Sequence, residues 1–147
     1  MRFWVLLIAA AVSVAGCRNA GVRQDGAPLK PVATVRQVME GIVIPYSQAV
    51  FDAVAYTNGT LVKAPATDDD WFRLQTRAVA IAEAGNLLMM APRARDNDAW
   101  IAMSRAMNDK AADVARAAAD KDAEKLLDAG GALYETCTAC HNKYVPQ

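Results

Sequence analysis

From Thr34 onward, apolar residues recur at three- and four-residue steps, the period of an amphipathic helix. The pattern predicts a first helix over 34–57, carried by Val35, Val38, Met39, Ile42, Tyr46, Ala49, Val50, Ala53 and Val54. Pro45 lies inside that run and should kink it, because proline removes one backbone donor and crowds the preceding turn. Asn58-Gly59 closes the helix, and a loop through Pro65 follows. A second helix starts after Thr67-Asp68-Asp69-Asp70, where short polar and acidic side chains suit a helix N-terminus. Its stripe is Trp71, Leu74, Ala78, Ile81, Ala82, Leu88 and Met89, and Pro92 stops it. A third opens near Asp96 or Asp98 and carries Trp100, Met103, Met107, Ala111, Val114 and Ala118. Asp120 or Asp122 caps a fourth, whose inner face reads Leu126, Leu127, Gly130, Leu133, Tyr134, Cys137, Cys140, His141 and Tyr144. Strand signals are nearly absent. Helices of this length joined by short connections predict an all-α, antiparallel up-down-up-down four-helix bundle.

The chain before Thr34 has a different character. Met1-Arg2 is a short basic start, and 3–15 is a run of apolar and small residues too short for a stable transmembrane helix. It ends in Val14-Ala15-Gly16-Cys17, which resembles a bacterial lipobox. Residues 1–16 are therefore expected to be a lipoprotein signal peptide, with lipid carried on the Cys17 thiol. An ordinary secretory signal with an incidental Cys17 is the alternative. Arg18 follows the cysteine, which by resemblance to enteric lipoproteins permits sorting to the outer membrane. Residues 17–33 hold Gly21, Gly26, Pro28 and Pro31 with little apolar content, and are expected to form a lipidated, flexible tether. That leaves 34–147 as a single domain.

Charge changes little. The chain has 16 basic and 16 acidic residues, and loss of residues 1–16 removes Arg2 alone among them. No basic stripe or aromatic-basic interleaving points to nucleic acid.

The chemistry concentrates at the end, in Cys137-Thr138-Ala139-Cys140-His141. C-x-x-C-H is the attachment signature of c-type haem: two thiols add across two vinyl groups, and the adjacent imidazole becomes the proximal iron ligand. His141 is the single histidine of the chain. A redox disulfide would call for a thioredoxin-like βαβ pattern, and a zinc site needs two further ligands; neither is present. An export signal agrees with haem c, which is attached in the periplasm.

Positions 137, 140, 141 and 144 share one helix face. In an antiparallel bundle the end of helix four lies level with the start of helix one, the end of helix two and the start of helix three. Met39, Met89, Met90, Met103 and Met107 are thereby expected at the haem end. A thioether is a good sixth ligand and raises the reduction potential, although Met also fills apolar cores. Gly130 and Gly131, each costing about 1 kcal/mol in a helix relative to Ala, suggest close approach of a helix or of the porphyrin edge.

The motif Cys137-Thr-Ala-Cys140-His141-Asn-Lys-Tyr144, placed at the C-terminus behind a four-helix pattern, resembles the cytochrome c′ family over about residues 33–147. Most other small c-type cytochromes carry the motif near the N-terminus. The resemblance implies a left-handed bundle, often a homodimer, with one covalent haem c whose distal face is covered by the first helix. In low-spin members a methionine there binds the iron, and Met39 is the candidate. In high-spin members an apolar residue blocks the position, and Val38 or Ile42 would be that plug. Arg36, one turn before Glu40, is a candidate propionate partner, a solvated surface arginine being the alternative. Tyr144, with Trp71 and Trp100, is a candidate for the haem edge, ordinary core being the alternative. Val145 departs from the Arg or Lys that often follows the tyrosine. Pro45 is a second departure and can shift the register of the distal face.

The expected function is one-electron transfer by a periplasmic c-type haem protein with His141/Met39-ligated iron, lipid-anchored to the inner or outer membrane of a Gram-negative bacterium and serving a redox partner the sequence does not name. A five-coordinate haem that binds NO or CO is the alternative, and a haem-free structural lipoprotein the third. No acid/base pair and no nucleophile with a partner histidine points to an enzyme.

Overall fold

The computed structural model describes residues 28–145. The expected signal peptide 1–16, Cys17 and the expected tether up to Ala27 lie outside the described residues. The chain divides into Met1–Lys30 and Pro31–Gln147, and the helices belong to the second unit.

Helix α1 (Val35–Val38) opens on a capping box. The Thr34 hydroxyl accepts the Gln37 N–H, and the Gln37 side chain accepts the Thr34 N–H, which satisfies two donors that helix geometry leaves free. The backbone then widens into a π-helical turn, Met39–Val43, before α2 (Ile44–Phe51). Pro45 gives the reason. It has no N–H, and its ring would crowd the carbonyl four residues back. The widened turn instead puts the Ile44 N–H on the Met39 carbonyl and leaves Pro45 in the first turn of α2, where a missing donor is harmless. The wide turn rotates the inward face by one residue. The buried positions run Val38, Val43, Ser47, Val50, Val54, so Ile42 and Tyr46 of the predicted stripe are only partly buried.

The first helix also ends earlier than its pattern predicts. It stops at Phe51, and Ala55–Thr57 (β1) pairs antiparallel with Thr60–Lys63 (β2). Asn58 and Gly59 take φ of 51° and 78°, the two positive values a two-residue hairpin turn needs. Asn-Gly was thus a hairpin signal, with aromatic and β-branched neighbours to match.

Helix α3 (Asp68–Met89) begins with a second capping box, between Thr67 and Asp70. Helix α4 (Ala99–Ala119) is capped from Asp96, whose Oδ1 accepts the N–H groups of Asp98 and Trp100. Asp122 caps α5 (Ala123–Tyr144) by accepting the Lys125 N–H. Long-range bonds fix the directions. The indole of Trp100 donates to the Leu88 carbonyl at 2.8 Å, tying the start of α4 to the end of α3. Lys121 pairs with Asp68 at the other end. Tyr144 donates to Asp96, and Arg93 Nε to the Ala33 carbonyl at 2.8 Å, so the end of α5 and the start of α1 meet the α3–α4 connection. The result is the up-down-up-down bundle. Its core is built of Leu74, Ala78, Ile81 and Leu88 from α3, Met107, Ala111, Val114 and Ala118 from α4, and Leu126 and Leu133 from α5, closed by the first helix. Among the described residues no helix is long and apolar enough to cross a membrane.

Two details of α5 differ from its pattern. Leu127 and Tyr134 are 42% and 56% exposed, because the loosely covered α2 side of α5 leaves a shallow groove there. Gly131 has nothing within 4 Å of where a Cβ would stand, and Gly130 would meet Val50 only at an ordinary 3.6 Å. Neither glycine is needed for close approach of a neighbouring helix among the described residues. The position that is needed is Gly85 on α3, where a Cβ would lie 2.9 Å from the Ser104 carbonyl.

Candidate haem site

A cavity of about 430 Å³ opens between the first helix and α3–α5. Cys137, Cys140 and His141 line it from α5, with Thr136, Thr138 and Asn142 beside them. Met39, Val43, Ile44, Ser47, Gln48 and Phe51 form the facing wall, and Leu88, Met103, Ser104 and Met107 line it from α3 and α4. The space is therefore mostly apolar, within the size range of small-molecule sites, and narrow in its polar chemistry.

The cysteines sit one turn apart on α5, both half-buried and both free thiols. Burial pushes the Cys137 thiol up, against hydrogen bonds from its own turn. Burial does the same for Cys140, helped by the neighbouring Cys137. The hydroxyls of Thr136 and Thr138 donate to the Leu133 and Tyr134 carbonyls. Two thiols with one exposed imidazole beside them, facing an apolar cavity, fit a covalently held porphyrin: the ring would take the apolar space, the thiols would hold its vinyl carbons and His141 its iron.

The end of α5 is held by its own clasp. Tyr144 donates to Asp96 and packs edge-on against Trp100, ring centroids 5.0 Å apart. The Tyr144 hydroxyl, with the neighbouring N–H of Trp100, holds the Asp96 carboxyl below its usual range. Asp96 in turn pushes Tyr144 up to about 12. The clasp anchors α5 three residues beyond His141.

Of the residues singled out from sequence, the fold brings Met39, Cys137, Cys140 and His141 to one cavity, with Met103 and Met107. It does not bring Arg36, whose guanidinium is 84% exposed and pairs with Glu40 at 2.7 Å. It does not bring Tyr144, which turns to Asp96, nor Trp71 and Trp100, which are core. Met89 stays out of the cavity wall, and Met90 sits against Arg93. Val38 is core rather than a plug, and Val43, rotated inward by the π turn, stands where Ile42 was expected. Ser47, Gln48 and Ser104 were missed. Ser104 left a signal, a polar residue inside the stripe Trp100–Met103–Met107. Ser47 left none, because only the π turn aims it inward.

No curated protein and no solved structure gives a significant match to this chain. The sequence profile of the Cytochrome C′ family matches residues 30–145, a stretch that takes in the whole bundle, the wall built by the first helix, and both thiols and the imidazole of α5. On that match over most of its length, borne by a helical bundle whose last helix presents Cys-x-x-Cys-His to an apolar cavity, the chain belongs to the Cytochrome C′ family.

Proposed function

We propose that this c-type haem protein transfers single electrons, with His141 and Met39 as the axial ligands of its iron. One covalently attached haem c is the cofactor of the family. When bound, it supplies a one-electron iron couple. Cys137 and Cys140 hold it to α5, and the apolar wall excludes water from it, while the exposed face of His141 keeps its edge close to the surface for a redox partner.

The observation that carries the Met39 reading is register. Gly130 lies against Val50, its Cβ direction 3.6 Å from Val50 Cγ1. His141 lies eleven residues beyond Gly130 on α5, and Met39 eleven residues before Val50 on the first helix. At 1.5 Å per residue α5 advances about 16 Å to His141; the first helix, shortened over its π turn, advances somewhat less to Met39, so the two approach one level on facing walls of one cavity. Met39→Ala should convert a low-spin optical spectrum of the oxidised holoprotein to high-spin. An unchanged spectrum refutes the ligand assignment. Val43, buried on the same wall, supports a second reading in which it blocks a five-coordinate iron that binds NO or CO. Rapid, tight CO binding by the reduced wild type would favour that reading.

Family members are periplasmic in Gram-negative bacteria. Membrane attachment through a lipid on Cys17 is proposed from the sequence. Incorporation of labelled palmitate that survives Cys17→Ser would overturn it.

A further inference from the structure

Among the described residues Arg93 is the one charged side chain that is fully buried, 6% exposed. It lies between α3 and α4, and its Nε and Nη1 donate to the Ala33 and Leu87 carbonyls, both at 2.8 Å. The Leu87 carbonyl belongs to the last turn of α3, where helix geometry leaves carbonyls free and the helix end is partly negative. The Met90 sulfur lies 3.9 Å from Nη1. All of these partners are uncharged. No acid pairs with Arg93 among the described residues. Asp96, close by in the chain, is taken by Tyr144 and by the N–H groups of Asp98 and Trp100.

Hydrogen bonding alone does not account for a charge at this position. A glutamine amide also donates to a carbonyl, and it avoids the desolvation cost of a buried charge with no acid beside it. What the guanidinium adds is a field. Leu88, the residue after Leu87, lines the haem cavity, so the charge stands one layer behind the cavity wall. No Asp, Glu, Lys or Arg lines the cavity itself. The other charged side chains of the described residues reach solvent, where salt screens them within about 8 Å. A buried charge is screened much less, and a guanidinium keeps its proton in proteins.

We propose that Arg93 raises the reduction potential of the haem, acting through space as a fixed, buried positive charge. Reduction moves one electron from a redox partner or an electrode to ferric iron and gives ferrous iron; no bond at Arg93 forms or breaks, and no proton moves there. The iron site loses one positive charge in that step, so a nearby cation favours the reduced form. For a charge on the order of 12 Å from the cavity centre, about one helix width, and an effective dielectric constant of about 20, removal of the charge shifts the reduction equilibrium about tenfold. The inference rests on the reading that haem c fills this cavity, and it holds for His141/Met39 ligation and for five-coordinate iron alike.

The test is a spectroelectrochemical titration of the holoprotein, with haem content and spin state recorded for every variant. Arg93→Gln should disfavour reduction about tenfold, a fall of about 59 mV. Arg93→Lys loses the double carbonyl bridge but keeps the charge, and should stay within about threefold of wild type. Arg95→Gln, at an exposed neighbouring position, should move the equilibrium less than about twofold. The Arg93→Gln shift should persist in 1 M salt, where the screening length is about 3 Å. Equal falls for Arg93→Gln and Arg93→Lys overturn the proposal, because the bridge and not the charge would then be responsible. A wild-type potential in Arg93→Gln overturns it too, as does a shift that salt abolishes. If Arg93→Gln does not fold, Met90→Glu sets a carboxylate against the guanidinium, where the sulfur now lies. It should lower the potential relative to the neutral Met90→Gln, and equal potentials for that pair overturn the proposal. A wild type that carries no haem by pyridine haemochrome overturns the reading of the cavity and the role of Arg93 with it; haem-loaded variants that share one potential overturn the role of Arg93 alone.

Discussion

Gly85→Ala and Gly131→Ala make the same chemical change inside long helices, and the structure predicts opposite results. Alanine gains about 1 kcal/mol over glycine in a helix interior. At Gly131 the new methyl meets nothing within 4 Å, so that gain should appear in full. At Gly85 the methyl would overlap the Asn108 side chain and stand 2.9 Å from the Ser104 carbonyl. The Asn108 amide can swing away, but the Ser104 carbonyl is backbone in the middle of α4 and can move only if the helices part. Overpacking of this kind costs about 1–3 kcal/mol, which cancels or exceeds the propensity gain. Gly131→Ala should therefore be the more stable variant by about 1–3 kcal/mol. In a domain of this size that is a difference of at least about 4 °C in Tm, measured by thermal melts of the holoprotein followed by circular dichroism. Because Ser104 lines the cavity, Gly85→Ala should also perturb the haem spectrum, and Gly131→Ala should not. Equal stabilisation by the two substitutions would refute the close approach of α3 and α4 at Gly85.

Trp100→Phe keeps the aromatic packing but orphans the buried Leu88 carbonyl that the indole serves; a loss of about 1–3 kcal/mol is expected in urea unfolding, and a loss below about 0.5 kcal/mol, the size of an ordinary surface change, would mean the carbonyl finds another donor. Arg93 is 6% exposed and bridges the Ala33 and Leu87 carbonyls; Arg93→Lys cannot span both acceptors and should loosen the start of α1, read as faster amide exchange at Val38 with α4 unaffected. The Tyr144–Asp96 clasp makes stability depend on pH at both ends. Asp96 is depressed in the folded protein, so its contribution is present above about pH 4 and is lost as pH falls through its lowered value. Tyr144 is raised, so its contribution is present below about pH 10 and is lost as pH rises through about 12. Tyr144→Phe should flatten both limbs of a Tm-against-pH curve, and an unchanged curve would show that the clasp is not made in solution.

The sequence by itself determined most of the bundle and the attachment chemistry. Three of the four helical elements are long stripes that begin at polar and acidic residues, Thr67–Asp70, Asp96 or Asp98, and Asp120 or Asp122, and a local signal of that kind does not depend on what packs against it. The Cys137–His141 motif is equally local: its spacing on one helix is enough to set two thiols and an imidazole on neighbouring positions. Asn58-Gly59 also carried its hairpin signal, but it stood at the end of an apolar run that matched a helix, and the helical period took precedence. What only the tertiary structure decided is the wall opposite the thiols. Pro45 forces a local change in the helix, and its form, a π turn at Met39–Val43, depends on which neighbours the helix must face. The π turn rotates the face by one residue, which brings in Val43 and Ser47 and leaves Ile42 and Tyr46 partly out. Arg36 and Tyr144 follow the same logic: each finds a partner, Glu40 or Asp96, that competes with a cofactor. Contacts among residues distant in sequence settle such choices, and no period along the chain records them.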